Sequence, residues 1–346
     1  MCNIAGYIGN QQAAPLLIDM MKKQEGYCGG YYTGIVTLCN GKLYAAKVLG
    51  DVDTLLAETD ALHFPGTTGI IHSRSASGGD WHWGHPFLSP DRKLAFVLNG
   101  AKDKFAPLID GNRLAQFLQE QGYTFDTETP YIEALKAYPT LANGNSVHFS
   151  ELECLFADYY QKRDGLSCCD AMEKAFLQLP GEIVGLAVHA EEDQTISFTN
   201  YNMPMSIART EAEVFLASFS ICFPDDRSFR TLDELPTACS GAVTLDGTRI
   251  HRFQPALEIG RMTPQKLHDA YEIVLETLRT QGPCTIVKLN QAVRVLWDPL
   301  VDLRYPATYS ILQDLYNQNK LEIHHDRVPG LAPGLTAPHF TVSLKK

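Results

Sequence analysis

A chain of 346 residues exceeds the usual size of one domain and predicts a large domain plus a smaller one, each with ample core. Its composition, 45% apolar and 20% charged, is that of a globular protein and excludes a disordered or fibrous chain. A net charge of −11 argues against general nucleic-acid affinity, which needs clustered Lys and Arg, and no window reaches the roughly 18 apolar residues of a membrane span.

The first residues lack a basic region followed by an apolar run, so a cytoplasmic location is expected. Nine cysteines, an odd number with no C-x-x-C pair, predict reduced thiols rather than a disulfide frame or zinc site. No metal and no cofactor is expected.

In chain order, Asn3 to Gly9 reads as a short buried strand ended by glycine, followed by an amphipathic helix over Ala13 to Gln24. Two β-rich runs between Thr33 and Leu49 flank Asn40-Gly41, a pair suited to a two-residue hairpin turn. Gly69 to Ser73 and Lys93 to Leu98 are further strands. Helical spacing covers Asp110 to Gln121, Tyr131 to Ala137 and Cys169 to Leu179. Strands return over Glu182 to Ala190, Thr195 to Thr199, Met205 to Ala208, Val214 to Ser218 and Ala242 to Leu245. Strands that open and close a domain around central helices predict a layered α+β fold rather than βαβ alternation.

Past Pro255 the texture changes. Thr263-Pro264 is an N-cap with proline in the first turn, opening a helix to about Thr280 that Gly282-Pro283 stops. Helices over Val287 to Leu296 and Pro306 to Asn319 come next, then two β-like runs, Leu321 to His324 and His339 to Leu344. Three helices and a long-looped hairpin resemble a winged-helix domain.

The chemistry centres on the first two residues. Removal of Met1 would leave Cys2 carrying both a thiol and a free α-amine, whose reference pKa of about 7.7–8.0 suits it to take a proton near neutrality. Nucleophile and base then share one residue. An isolated Met-Cys is more often just a small buried residue. Here a series of short blocks decides the matter: Cys2-Asn-Ile-Ala-Gly6, Gly69-Ile-Ile-His-Ser-Arg74-Ser-Ala-Ser77, His85-Pro-Phe87 and Phe96-Val-Leu-Asn99-Gly100. In order and spacing these blocks resemble the class II glutamine amidotransferases, N-terminal-nucleophile hydrolases, and most of all the glutaminase domain of glucosamine-6-phosphate synthase. Tyr27 to Gly34, Leu49 to Val52 and Gly122 to Phe125 extend the likeness, which reaches to about Phe253.

That resemblance implies a four-layer αββα fold over residues 1–255, with residues 256–346 forming the winged-helix-like part. It also implies glutamine hydrolysis through a thioester on Cys2, with release of ammonia. The Asn99 side chain and the Gly100 N–H are the implied oxyanion donors, each such donor being worth about 3–4 kcal/mol of barrier. Arg74 matches the arginine that pairs with the α-carboxylate of glutamine, where a planar fork is suited, and Ser77 a supporting hydroxyl. His85 is expected to be structural.

Departures from the family pattern fall beside the implied substrate. Asn3 replaces a glycine, Cys28 an arginine, and Arg74-Ser-Ala-Ser-Gly78 lacks a tryptophan and a histidine. Pro130 stands where the family has the aspartate that binds the substrate ammonium, and proline offers neither charge nor backbone donor. Glu128 is the candidate replacement from a shifted loop. The residues after 255 are too few for sugar-phosphate isomerase domains, so full synthase activity is not expected.

These departures raise two other function classes: a degenerate domain acting as ligand sensor or scaffold, and a DNA-binding regulator acting through the C-terminal part. From Pro255 onward ten Lys and Arg face nine Asp and Glu, which favours a protein partner over nucleic acid.

Overall fold

The computed structural model describes residues 2–258, 262–297 and 305–345. β1 (Asn3–Ile8) is buried along its whole length and leads into α1 (Ala13–Gln24). Asn40 and Gly41 both take positive φ, 51° and 70°, and turn β2 (Tyr32–Cys39) into β3 (Lys42–Leu49), as the Asn-Gly pair predicts. Next come α2 (Val52–Glu58), β4 (Thr68–Arg74), β5 (Phe87–Leu88), β6 (Leu94–Ala101) and α3 (Gly111–Glu120). A small pair, β7 (Thr129–Pro130) and β8 (Asn145–Ser146), precedes α4 (Phe149–Asp164) and α5 (Cys168–Gln178).

The strands then return as β9 (Glu182–His189), β10 (Ile196–Tyr201), β11 (Ser206–Arg209), β12 (Val214–Ala217), β13 (Thr231–Glu234), β14 (Cys239–Val243) and β15 (Thr248–Arg252). One sheet has the order β13-β11-β12-β1-β4-β2-β3, the other β15-β14-β10-β9-β6-β5.

The period-2 alternation of strand side chains sorts the core into layers. Ile4, Ile8, Val36 and Ile70 of the first sheet meet Ala95, Val97, Val184 and Leu186 of the second in one cluster between the sheets. Their neighbours Ala5, Tyr7, Ile35 and Ile71 face the other way, onto α1 and α2. Phe96, Leu98 and Ile183 likewise face α3, α4 and α5. The layering is helices, sheet, sheet, helices.

One expectation changes, and two features go beyond what was expected. The helix predicted over Tyr131 to Ala137 is only a 3-10 turn, Glu133–Leu135, beside the β7 strand that holds Pro130. α4 has no helical signature in the sequence, because Glu151, Glu153 and Asp158 are buried beside its apolar residues and no polar face marks it. The strand expected over Lys93 to Leu98 runs on through Asn99-Gly100 to Ala101 as β6.

After β15 come α6 (Pro264–Gln281), α7 (Ile286–Val293) and α8 (Tyr305–Asn317). The Thr263 side chain accepts from the Lys266 N–H and caps α6. The strands β16 (Leu321–Pro329) and β17 (Thr336–Leu344) pair antiparallel over nine residues each, longer than the predicted runs. This part shares one apolar cluster with Tyr27, Phe219 and Ile221 of the layered region. Among the described residues no helix is long and apolar enough to cross a membrane.

Candidate active site

The alternation that builds the core also builds the site. Asn3 pairs with Ser73 and Ile4 with His72 across β1 and β4, so residue 2 continues the inter-sheet face of Ile4 and Ile8. By the same parity His72 and Arg74 share that face with Ile70, and Asn99 shares it with Ala95 and Val97. Cys2, His72, Arg74 and Asn99 therefore converge at one end of the cleft between the sheets, where the apolar filling stops.

Asn99 is fully buried. Its Oδ1 accepts the Cys2 backbone N–H at 2.8 Å, and its Nδ2 has no hydrogen-bond partner. A buried amide donor left without a partner typically costs about 1–3 kcal/mol. Gly100 comes next with φ at 129°, and a Cβ there would lie 2.1 Å from the Glu182 carbonyl oxygen, so only glycine fits.

His72 crosses from one sheet to the other, its Nε2 lying 3.1 Å from the Leu98 carbonyl oxygen. That oxygen can only accept, so Nε2 carries the hydrogen. Nδ1 has no hydrogen-bond partner among the described residues. Burial by itself would push the Cys2 thiol up. The neighbouring His72 imidazole, with the charge of the chain's amino terminus and the Ser75 backbone, outweighs it and brings the thiol down to about 6. His85 stacks on His72 with centroids 3.9 Å apart. Burial, together with the neighbouring His72, His148 and Arg74, holds His85 well below the usual imidazole range.

Arg74 is 1% exposed. Its guanidinium donates to the Gly78 carbonyl oxygen at 2.7 Å, lies 3.5 Å from the Tyr138 hydroxyl, and covers the Tyr32 ring at 4.8 Å. Among the described residues no carboxylate pairs with it, which leaves a buried cation with room in its charge balance for an anion.

Two residues singled out in the sequence lie apart from this group. Ser77 is exposed and its hydroxyl donates within its own loop, to the Ser75 carbonyl oxygen; the hydroxyl near the thiol is that of Ser75, at 4.0 Å from Sγ. Glu128 is exposed and accepts from Asn143 Nδ2 and Asn145 Nδ2, both at 2.7 Å, where Asn145 pairs with Pro130. His72, in the middle of the Gly69–Ser77 block, joins this group in the structure and is missed by sequence reasoning. Its one local signal is parity with Arg74 on the same strand face.

Behind the cleft, the opposite parity makes a support. The Asn3 Oδ1 accepts from the Gly29 N–H at 2.9 Å, and the Ser73 hydroxyl accepts from the Gly30 N–H at 2.7 Å while donating to Glu25 at 2.6 Å. Glu25 is buried and also takes the Thr33 hydroxyl and the Val52 N–H. Burial outweighs these donors and raises its carboxyl to about 7.

No family model matches the chain. Glutamine–fructose-6-phosphate aminotransferase (isomerizing) of Leifsonia xyli subsp. xyli is 30% identical over 223 residues, covering 63% of this chain and 32% of that protein. The protein of the same name from Gloeobacter violaceus is 28% identical over 271 residues, covering 78% of this chain and 39% of that one. The chain is similar to the class II glutamine amidotransferases. It spans between 32% and 39% of the length of these two relatives. Among solved structures, the glutamine phosphoribosylpyrophosphate amidotransferase of B. subtilis superposes with a TM-score of 0.59 at 18% identity, covering 81% of this chain and 58% of that one. At that identity the likeness shows the fold alone, and it agrees with the mixed α/β layering of this chain.

Proposed function

We propose that this protein hydrolyses the side-chain amide of glutamine, with Cys2 as nucleophile. The Cys2 thiolate attacks the amide carbon, negative charge gathers on the amide oxygen, and collapse expels ammonia and leaves a thioester that water cleaves. Once Met1 is removed, the nitrogen that Asn99 Oδ1 holds at 2.8 Å is a free α-amine, placed beside its own thiol to carry the proton from sulfur to the leaving nitrogen.

The observation that carries this reading is the Asn99 amide. One end fixes the nucleophile's nitrogen and the other, Nδ2, is a buried donor without a partner. Such a donor, already placed, stabilises charge where the oxyanion develops. Gly100 N–H is the second donor. Arg74, buried without a carboxylate partner among the described residues, takes the α-carboxylate of the substrate through its planar fork. Ser75, rather than the exposed Ser77, is the hydroxyl at the thiol.

Among the described residues no carboxylate reaches this group to hold the substrate ammonium: Pro130 cannot, and Glu128 is engaged by two asparagines. Discrimination between glutamine and amides lacking the α-ammonium is correspondingly weaker. A cytoplasmic setting fits the nine free thiols.

We divide the chain into an amidotransferase region, 1–255, and a winged-helix-like region, 256–346, that serves protein rather than DNA contact. Its ten cationic residues against nine anionic ones leave little footprint for a phosphate backbone. The comparisons lend no support to a sensor or a DNA-binding regulator.

Ammonia release from glutamine, measured for the wild type and Cys2→Ala with the intact mass determined in parallel, tests the reading. Loss of activity in Cys2→Ala and a mass lacking Met1 are expected. Processed wild-type protein inert toward glutamine and a panel of amides overturns it.

A further inference from the structure

The loop that carries Cys28 is held from two sides. On its inner side the Gly29 N–H binds the side chain of Asn3, the residue after the nucleophile, the Gly30 N–H binds Ser73, and the Tyr31 N–H donates to the Arg74 carbonyl oxygen at 3.1 Å. On its outer side lies the C-terminal part. The Tyr309 hydroxyl of α8 is 3.5 Å from Cys28 Sγ. The Tyr27 ring is enclosed by Phe219, Tyr309 and Phe340, with centroids 4.7, 5.0 and 5.0 Å away.

The hairpin presses on the same loop. A Cβ on Gly26 would lie 2.8 Å from the Pro338 carbonyl carbon, and one on Gly30 would lie 2.6 Å from Pro338 Cδ, so β17 sits against the bare backbone of both glycines. Their φ values, 89° and 106°, are ones that other residues rarely adopt. At the far end of the contact Arg327 pairs with Asp51, the buried cap of α2. The Gly50 N–H beside it donates to the Tyr31 carbonyl oxygen at 2.9 Å.

We infer that the C-terminal helices and hairpin clamp the loop that walls Cys2, and that Tyr309, acting through Cys28, is the positioning residue of this clamp. The path is short: Tyr309 to Cys28, then Gly29 to Asn3, then Cys2. Burial keeps the Tyr309 phenol protonated, so it remains a hydrogen-bond donor across the physiological range. The C-terminal part is thus a component of the site, and a partner that shifted α8 would change the grip on substrate. The kinetic half of this inference rests on the amide-hydrolysis reading; the thiol half does not.

The test compares the full chain with Tyr309→Phe, which deletes only the hydroxyl, and Tyr309→Ala. Alkylation by iodoacetamide is followed cysteine by cysteine by mass spectrometry, and KM and kcat are taken from ammonia release. Tyr309→Phe is expected to keep a cooperative melt, move the pH midpoint of Cys28 alkylation upward, and raise KM at least fivefold with kcat within twofold. Tyr309→Ala is expected to speed Cys28 alkylation at least tenfold while Cys154, fully buried on α4, stays slow and reports an intact fold. Should Tyr309→Ala not fold, the Phe variant decides alone. Wild-type labelling profiles in a folded Tyr309→Phe overturn the clamp. A wild type that releases no ammonia overturns the hydrolase reading instead, and the labelling profiles then decide the clamp by themselves.

Discussion

The Cys2 nitrogen lies 2.8 Å from Asn99 Oδ1, while Nδ2 of the same side chain is buried with no partner. A single amide thus touches the nucleophile's residue and offers a free donor to the space in front of it. Replacing it separates two roles. Asn99→Ala is expected to lower kcat by about 100- to 1,000-fold with KM changed little, the signature of a donor used in the transition state. Cys2 alkylation in the variant checks that the thiol is still presented.

His72 sets the thiol. With His72→Gln the imidazole that lowers Cys2 is lost while burial, which raises it, remains. The wild-type thiol, at about 6, is mostly thiolate at pH 7, and its reactivity falls as pH drops through 6. In the variant the alkylation midpoint moves up to the ordinary thiol range or beyond it, about 8.5 or higher, and the rate at pH 7 falls roughly tenfold or more. An unchanged midpoint would show that His72 does not act on Cys2.

Arg74→Lys keeps the charge but not the planar fork. We expect KM for glutamine to rise about tenfold or more, because an ammonium makes a single point contact where the guanidinium makes two parallel bonds. The lost stacking on Tyr32 lowers the melting temperature as well, so KM and melting are measured together. Wild-type KM in the folded variant would place the substrate carboxylate elsewhere.

Glu25 makes stability depend on pH. Its folded carboxyl, near 7, binds a proton more tightly than the unfolded one, near 4.5, so its contribution is full below about pH 4.5 and is lost as pH rises through 7. Glu25→Gln keeps a neutral group there, with Oε1 to the Val52 N–H and Nε2 to hydroxyls that turn to accept. Urea unfolding is expected to show the variant and the wild type close in stability at pH 4.5, the variant gaining as pH rises, by up to about 3 kcal/mol above pH 7.5. A pH-independent difference would remove Glu25 from this account.

Much of the fold is legible in the chain, because local rules act there. Asn40-Gly41 can hardly do other than turn β2 into β3, Thr263-Pro264 starts α6, and Gly282 ends it. The period of two along the strands Asn3–Ile8 and Thr68–Arg74 fixes which side chains share a face, and hence that Cys2, His72 and Arg74 point one way. α4 is hidden because Glu151, Glu153 and Asp158 are buried on it. Thr127 and Lys102, from distant segments, satisfy two of these carboxylates, so their burial has no local sign.

The position of Cys2, the order of the blocks around it and the strand parity are properties of the chain alone, since each rests on contacts between neighbours or on a period of two. Three-dimensional packing was needed for Asn99 to divide its amide between Cys2 and an open donor position, and for Arg74 to lie without a carboxylate partner among the described residues. It also brings Tyr309 to Cys28 from 281 residues away. These are pairings between separate sheets and between the two ends of the chain. Packing selects them, and no spacing in the sequence encodes them.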